Sequence, residues 1–186
     1  MNINPQATSG SNICIFCGSA NGISPAYTEQ ASMLGTILAE NGYGIVYGGA
    51  HVGLMGTVAD AAMAAGGNVT GVIPQTLVDR EVAHTGLTAL HVVASMHERK
   101  ALMAELSSAF VALPGGFGTL DEFCEIVTWA LLGLHHKPCI LLNTGGYWDG
   151  FLRFLDHAVA QGFISAAKRP LVQVANEVPD LLKLLI

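Results

Sequence analysis

Charged side chains are scarce in this sequence. Asp, Glu, Lys and Arg make up 12% of its 186 residues, with eight cations against fourteen acids and a formal net charge of −6. So few cations cannot spread a basic face over a nucleic-acid backbone or an anionic bilayer, and neither is expected as a partner. An anion would have to be held locally, by helix ends and a small group of cations. Long apolar runs are missing too. None reaches the roughly 18 residues of a membrane-crossing helix. The polar start, Met1 to Asn12, has neither the cationic head nor the apolar stretch of a secretion signal. A cytoplasmic protein is expected.

Metal and redox signatures are equally thin. There are four cysteines, and Cys14 and Cys17 form a C-x-x-C, a spacing used by redox and zinc sites. Both lie in an apolar run rather than at a helix start, and no second cysteine pair or histidine pair completes a zinc site. They read as buried free thiols. His135-His136 falls at a helix end, where a cation is favoured, and H-E-x-x-H is absent. No metal and no cofactor is expected. The phosphate loop G-x-x-x-x-G-K-[ST] is absent. So is G-x-G-x-x-G, because Asp121 stands where the third glycine belongs after Gly116-x-Gly118. A hydride-transferring enzyme is therefore disfavoured.

Hydrophobic residues, at 51%, and glycines, at 22, are plentiful. That balance suits an α/β protein with a buried parallel sheet, and the length suits a single domain over residues 1–186, with residues 1–11 as a flexible N-terminus. Apolar runs predict seven strands: Asn12 to Cys17, Gly44 to Tyr47, Asn68 to Ile73, Ala89 to Val93, Ala109 to Leu113, Cys139 to Leu142 and Leu171 to Val174. Helical patterns alternate with them. They run from Ser24-Pro25 to Glu40, from Leu54 to Ala65, from the Ser95-x-x-Glu98 capping box, from about Leu120 to Leu134, from Tyr147 to Gln161 and from Val178. The connection from Pro74 to Thr85 is long and polar and reads as a functional loop. The fold class is a Rossmann-like, doubly wound parallel sheet with helices on both faces.

Three strands end in glycine-rich turns, at Gly18-Ser19, at Gly48-Gly49 and at Gly115-Gly116-Phe117-Gly118. Such turns belong at one edge of a parallel sheet, where ligands bind. The last leads into a helix whose free N–H groups suit a phosphate. Thr119-x-x-Glu122 has two readings: a capping box, or a carboxylate held over the ligand. Arg99 and Lys100 sit near the start of their helix, where the dipole disfavours cations. A bound anion would relieve that cost, and snorkelling into water is the plainer alternative. His97 fits a ligand contact and a packing role equally well.

The segments Pro114-Gly115-Gly116-Phe117-Gly118-Thr119-Leu120-Asp121-Glu122 and Ser95-Met96-His97-Glu98-Arg99-Lys100 together resemble the LONELY GUY family. Its members are cytokinin riboside 5′-monophosphate phosphoribohydrolases, often labelled lysine decarboxylases. Phe16 to Ser19, Tyr47 to Gly49 with Gly53 to Gly56, Gly71 to Pro74 and Arg80 to His84 extend the likeness along nearly the whole chain. Ala50 departs from it, since a third glycine is expected there, and its methyl narrows the pocket slightly.

The resemblance implies hydrolysis of a nucleoside 5′-monophosphate to free base and ribose 5-phosphate, with Arg99 and Glu122 as the catalytic pair. Nucleotide contacts would fall on Glu81, Arg99, Lys100, the Gly116 to Glu122 turn (with Leu120 and Asp121) and Thr128. Ser19, Gly48, Gly49, Met96 and Gly115 complete the candidate binding set. A homodimer is implied as well, and the helix after Leu120, apolar nearly all round, is the expected interface. The base could be adenine or an N6-prenylated adenine. The alternatives are a nucleotide carrier or sensor, which would not need Glu122, and a pyridoxal decarboxylase, which would need a pocket lysine.

Overall fold

The computed structural model describes residues 11–80 and 82–185. The nucleotide contact expected at Glu81 lies outside the described residues, as does nearly all of the flexible segment expected over residues 1–11. Seven strands form one sheet: β1 Asn12–Phe16, β2 Gly44–Tyr47, β3 Val69–Pro74, β4 Ala89–Val93, β5 Ala109–Ala112, β6 Cys139–Leu142 and β7 Val172–Ala175. Their order is β4-β3-β2-β1-β5-β6-β7, and every pairing is parallel. The chain builds outward from β1 to one edge, then returns to β5 on the other side of β1. The reversal between β1 and β5 opens a crevice beyond their carboxyl ends.

The helices are α1 Pro25–Glu40, α2 Gly53–Ala64, α3 Gln75–Val78, α4 Met96–Glu105, α5 Phe117–Leu131, α6 Asp149–Ala160 and α7 Val178–Leu184. The strands read as unbroken apolar runs because both of their faces are covered. Ile13, Ile15 and Cys17 pack with Leu34, Leu38, Leu54, Val58 and Leu181 on the face covered by α1, α2 and α7. Cys14 and Phe16 pack with Met103, Phe123, Ile126 and Trp148 on the face covered by α4, α5 and α6. Side chains alternate along a strand, so the two cysteines of the C-x-x-C lie on opposite sides of the sheet. Both are buried and free, and burial pushes both thiols up.

Four expectations change. Pro74 does not stop β3 but closes it, in register with Val93. The connection after it is not all loop. It contains the four-residue α3, and Ala83 pairs antiparallel with Ala50, with His51 N–H donating to Val82 O at 3.0 Å and His84 N–H to Gly49 O at 2.8 Å. That strap lies over the β2–α2 turn. Finally, α5 starts at Phe117 with Gly116 as its N-cap and no side-chain cap bond. Thr119 and Glu122 therefore lie inside the helix, and the capping-box reading falls. The same helix ends at Leu131, not Leu134, where a turn returns the Leu134 N–H to Trp129 O at 2.9 Å.

Candidate functional site

The crevice holds a cavity of about 540 Å³. One wall is the start of α5: Gly116, Phe117, Gly118 and Thr119. The first intrahelical bond runs from Leu120 N–H to Gly116 O at 3.1 Å, so the N–H groups before it have no helical partner. They form the positive end of a fifteen-residue helix, an anion site made of backbone. Gly115 makes the turn possible, because a Cβ there would overlap the Thr119 hydroxyl.

Arg99 and Glu122 form the floor, and each is held from a different helix. Ser95 caps α4 by accepting the Glu98 N–H at 3.2 Å, while the Glu98 carboxylate accepts the Ala94 N–H at 3.0 Å. That fixes the first turn and brings Arg99 inward, where it is 7% exposed. Its Nε donates to Val72 O at 3.0 Å, and its Nη1 lies 2.9 Å from Glu122 Oε1. A Cβ at Gly48 would overlap the guanidinium, so the β2 turn must be glycine for Arg99 to pass beneath it. Glu122 is 8% exposed. Burial pushes its carboxyl above the usual carboxylate range, and the Arg99 charge pulls the other way. The result is a carboxylate kept dry, oriented and paired in the cavity floor.

Lys100 does not point into the cavity. Its Nζ lies 2.7 Å from Glu125 Oε2 and 3.2 Å from Asp121 Oδ2, and Glu125, ahead of Asp121, raises its pKa. The two cations at the start of α4 thus find carboxylates on α5. Arg99–Glu122 and Lys100–Asp121/Glu125 tie the two helices side by side.

Two comparisons bear on this site. Residues 55–185 match the family model described as possible lysine decarboxylase. The chain is 50% identical over 168 residues to the cytokinin riboside 5′-monophosphate phosphoribohydrolase of Rhodococcoides fascians, covering 90% of this chain and 85% of that one. It is 48% identical over 171 residues to an Arabidopsis thaliana enzyme of the same name, covering 92% and 79%. The chain belongs to the cytokinin riboside 5′-monophosphate phosphoribohydrolase family.

Solved structures agree on the fold. A molybdenum cofactor binding protein from Rippkaea orientalis matches with a TM-score of 0.71 at 20% identity, over 96% of this chain and 97% of that one. The Moco carrier protein from Chlamydomonas reinhardtii matches with a TM-score of 0.67 at 25% identity, over 93% of each.

Within this phosphoribohydrolase-family chain, the cavity gathers Ser19, Gly48, Arg99, Gly116, Phe117, Gly118, Thr119 and Glu122 from the candidate set. Other candidates stand outside its lining. Gly49 packs behind it, with its carbonyl oxygen accepting from the strap. Gly115 borders a smaller adjoining cavity. Met96 is half exposed, its sulfur 3.9 Å from Arg99 Nη1. Leu120 packs into the core, Asp121 faces Lys100 and His97 is exposed on α4.

Thr128 lies in a separate apolar groove, its hydroxyl donating to Cys124 O at 2.7 Å. His135 ties its loop back to α5, with Nε2 2.9 Å from Ile126 O. Among the described residues no three of His, Cys, Asp and Glu converge as metal ligands would, and no helix is long and apolar enough to cross a membrane.

Sequence reasoning missed the apolar wall, Val52, Met55, Leu77 and Val82, which faces the α5 turn across the cavity beside Ala50. Leu77 and Val82 fall in the connection read as polar loop. The signals for them were the aliphatic residues Leu77, Val78 and Val82 within that stretch and the place of Val82 in the Arg80 to His84 segment of family likeness.

Proposed function

We propose that this chain hydrolyses the N-glycosidic bond of an N6-modified adenosine 5′-monophosphate. Water adds to the anomeric carbon and the carbon–nitrogen bond to the base breaks, giving free base and ribose 5-phosphate. The observation that carries this reading is the buried Arg99–Glu122 pair in a cavity whose facing wall is the start of α5. A 5′-phosphate would sit on the Gly116 to Thr119 amides. That leaves the sugar over Glu122, whose carboxylate opposes the positive charge that builds on the ring as the base departs and can take a proton from the incoming water. Arg99 keeps Glu122 ionised and aimed. The wall of Ala50, Val52, Met55, Leu77 and Val82 suits a base carrying an apolar N6 substituent. A pyridoxal decarboxylase would need a cavity lysine, and none lines this cavity among the described residues.

We also infer a homodimer through α5. Leu131, Leu132 and Leu134 are exposed at its end. Beside them Phe123, Val127, Leu131, Phe151, Leu155 and Ile164 line an open apolar groove, and a second copy would cover it. Thr128 lies in that groove, and we assign it to the interface. Four free thiols fit a reducing compartment such as the cytoplasm.

Base release from AMP and from isopentenyladenosine monophosphate, followed by chromatography, tests the activity. Wild-type protein should release base, with the prenylated substrate preferred, and Glu122→Ala should bind nucleotide without releasing it. Tight nucleotide binding by wild type with no release from either substrate would overturn the enzyme reading in favour of a carrier.

A further inference from the structure

Tyr147 lies outside every motif discussed above, yet it touches the anion turn. It follows the Thr144–Gly146 turn at the end of β6. Its backbone is fixed there by Asn143, whose N–H donates to Ala175 O at 2.7 Å. The Asn143 side chain accepts the Trp148 N–H at 2.7 Å and donates to Asp149 Oδ1 at 2.9 Å. The Tyr147 ring stands edge-on to Tyr27 on one side and Trp148 on the other, with centroids 5.7 and 5.0 Å away. From this seat its hydroxyl donates to the Gly115 carbonyl oxygen at 2.6 Å.

That bond fixes a direction. Within a planar trans peptide the C=O and the next N–H point opposite ways. With the Gly115 oxygen turned to Tyr147, the Gly116 N–H is turned away from it. Tyr147 and Gly115 border the smaller cavity, of about 290 Å³, and not the large one. The unit between Gly115 and Gly116 is flanked by glycine on both sides and has little intrinsic preference between its two orientations. The preceding peptide is held separately, by Gly18 N–H donating to Pro114 O at 3.0 Å.

We propose that Tyr147 is a positioning residue for the phosphate end of the site: its hydroxyl holds the Gly115–Gly116 peptide so that the Gly116 N–H joins the first-turn amides of α5 as a phosphate donor. The proposal rests on the phosphoribohydrolase reading only for the identity of the substrate. The phosphate-binding step stands apart from the hydrolysis.

Tyr147→Phe keeps the ring and removes only the hydroxyl. Dissociation constants for ribose 5-phosphate and for adenosine, measured by calorimetry, separate the phosphate end from the base end. The variant should bind ribose 5-phosphate about five- to tenfold more weakly, the worth of one lost hydrogen bond, and adenosine as well as wild type does. In turnover, KM for the nucleotide should rise by the same factor with kcat within about twofold. Tyr27→Phe, whose hydroxyl has no bonding partner among the described residues, should change neither affinity. Unchanged ribose 5-phosphate affinity in Tyr147→Phe, or an equal loss for adenosine, would overturn the proposal. Wild-type protein that releases no base would overturn the hydrolase reading alone, and the two affinities would still decide the role of Tyr147.

Discussion

Glu122 meets two opposing demands. Burial favours its neutral acid form, and Arg99 at 2.9 Å favours its anion. If the anion is the working form, activity is present above the carboxyl pKa and lost as pH falls through it. Burial, the larger influence, shifts that loss upward. The acid limb of kcat/KM should therefore lie above the usual glutamate range, and it should vanish from the residual activity of Glu122→Gln. For Glu122→Ala the loss in kcat should be on the order of a thousandfold, the scale of one well-placed electrostatic partner in a dry site. At this scale the sequence was informative about identity and silent about pairing. Arg99 and Glu122 could be named from their segments, but Thr119-x-x-Glu122 carries the same spacing whether it caps a helix or serves a ligand. Only the helix start at Phe117 separates the two readings. Lys100 looked like a ligand for an anion because its carboxylate partners lie on another helix, which local spacing cannot reveal.

Among the elements, α4 and α5 matter most, since one pair of charges crosses between them at each rung. The Ser95 cap fixes the turn from which Arg99 departs. Ser95→Ala should cost about 1 kcal/mol, read as a lower urea midpoint with an unchanged slope, and kcat should fall because Arg99 loses its anchored start. The strands were legible to within about a residue because six of the seven apolar runs end at glycine, proline or asparagine, and that of β4 ends at the Ser95 helix cap. The strap formed by Val82, Ala83 and His84 was not. It is defined by pairing with the β2–α2 turn, a contact between distant segments that leaves no period of its own in the sequence. The apolar wall of the cavity was missed for the same reason.

For the whole molecule, alternating strands and helices were enough to give a doubly wound sheet, and the glycine turns were enough to mark the edge that carries the cavity. Which strands flank the crevice was not readable, because strand order depends on crossover direction rather than composition. The proposed dimer rests on the exposed leucines at the end of α5 as much as on the sequence pattern. Leu131→Asp places a charge in the α5 groove away from the cavity, and sedimentation should find the wild type dimeric and the variant monomeric. Unaltered sedimentation would show that this face is not the contact.

The place of β1 in the sheet also shapes how the protein can be made. β1 leaves the ribosome before the six other described strands and can pair with β2 soon afterwards, but its other neighbour is β5, which comes more than 90 residues later. Until Ala109–Ala112 emerges, that edge is open, apolar on both faces and competent to pair with another nascent chain. The crevice that holds the candidate site lies between the same two strands, so a chain stalled before β5 has no such site but a sticky edge to shield. A chaperone that covers the β1 edge during synthesis would protect the yield of active protein.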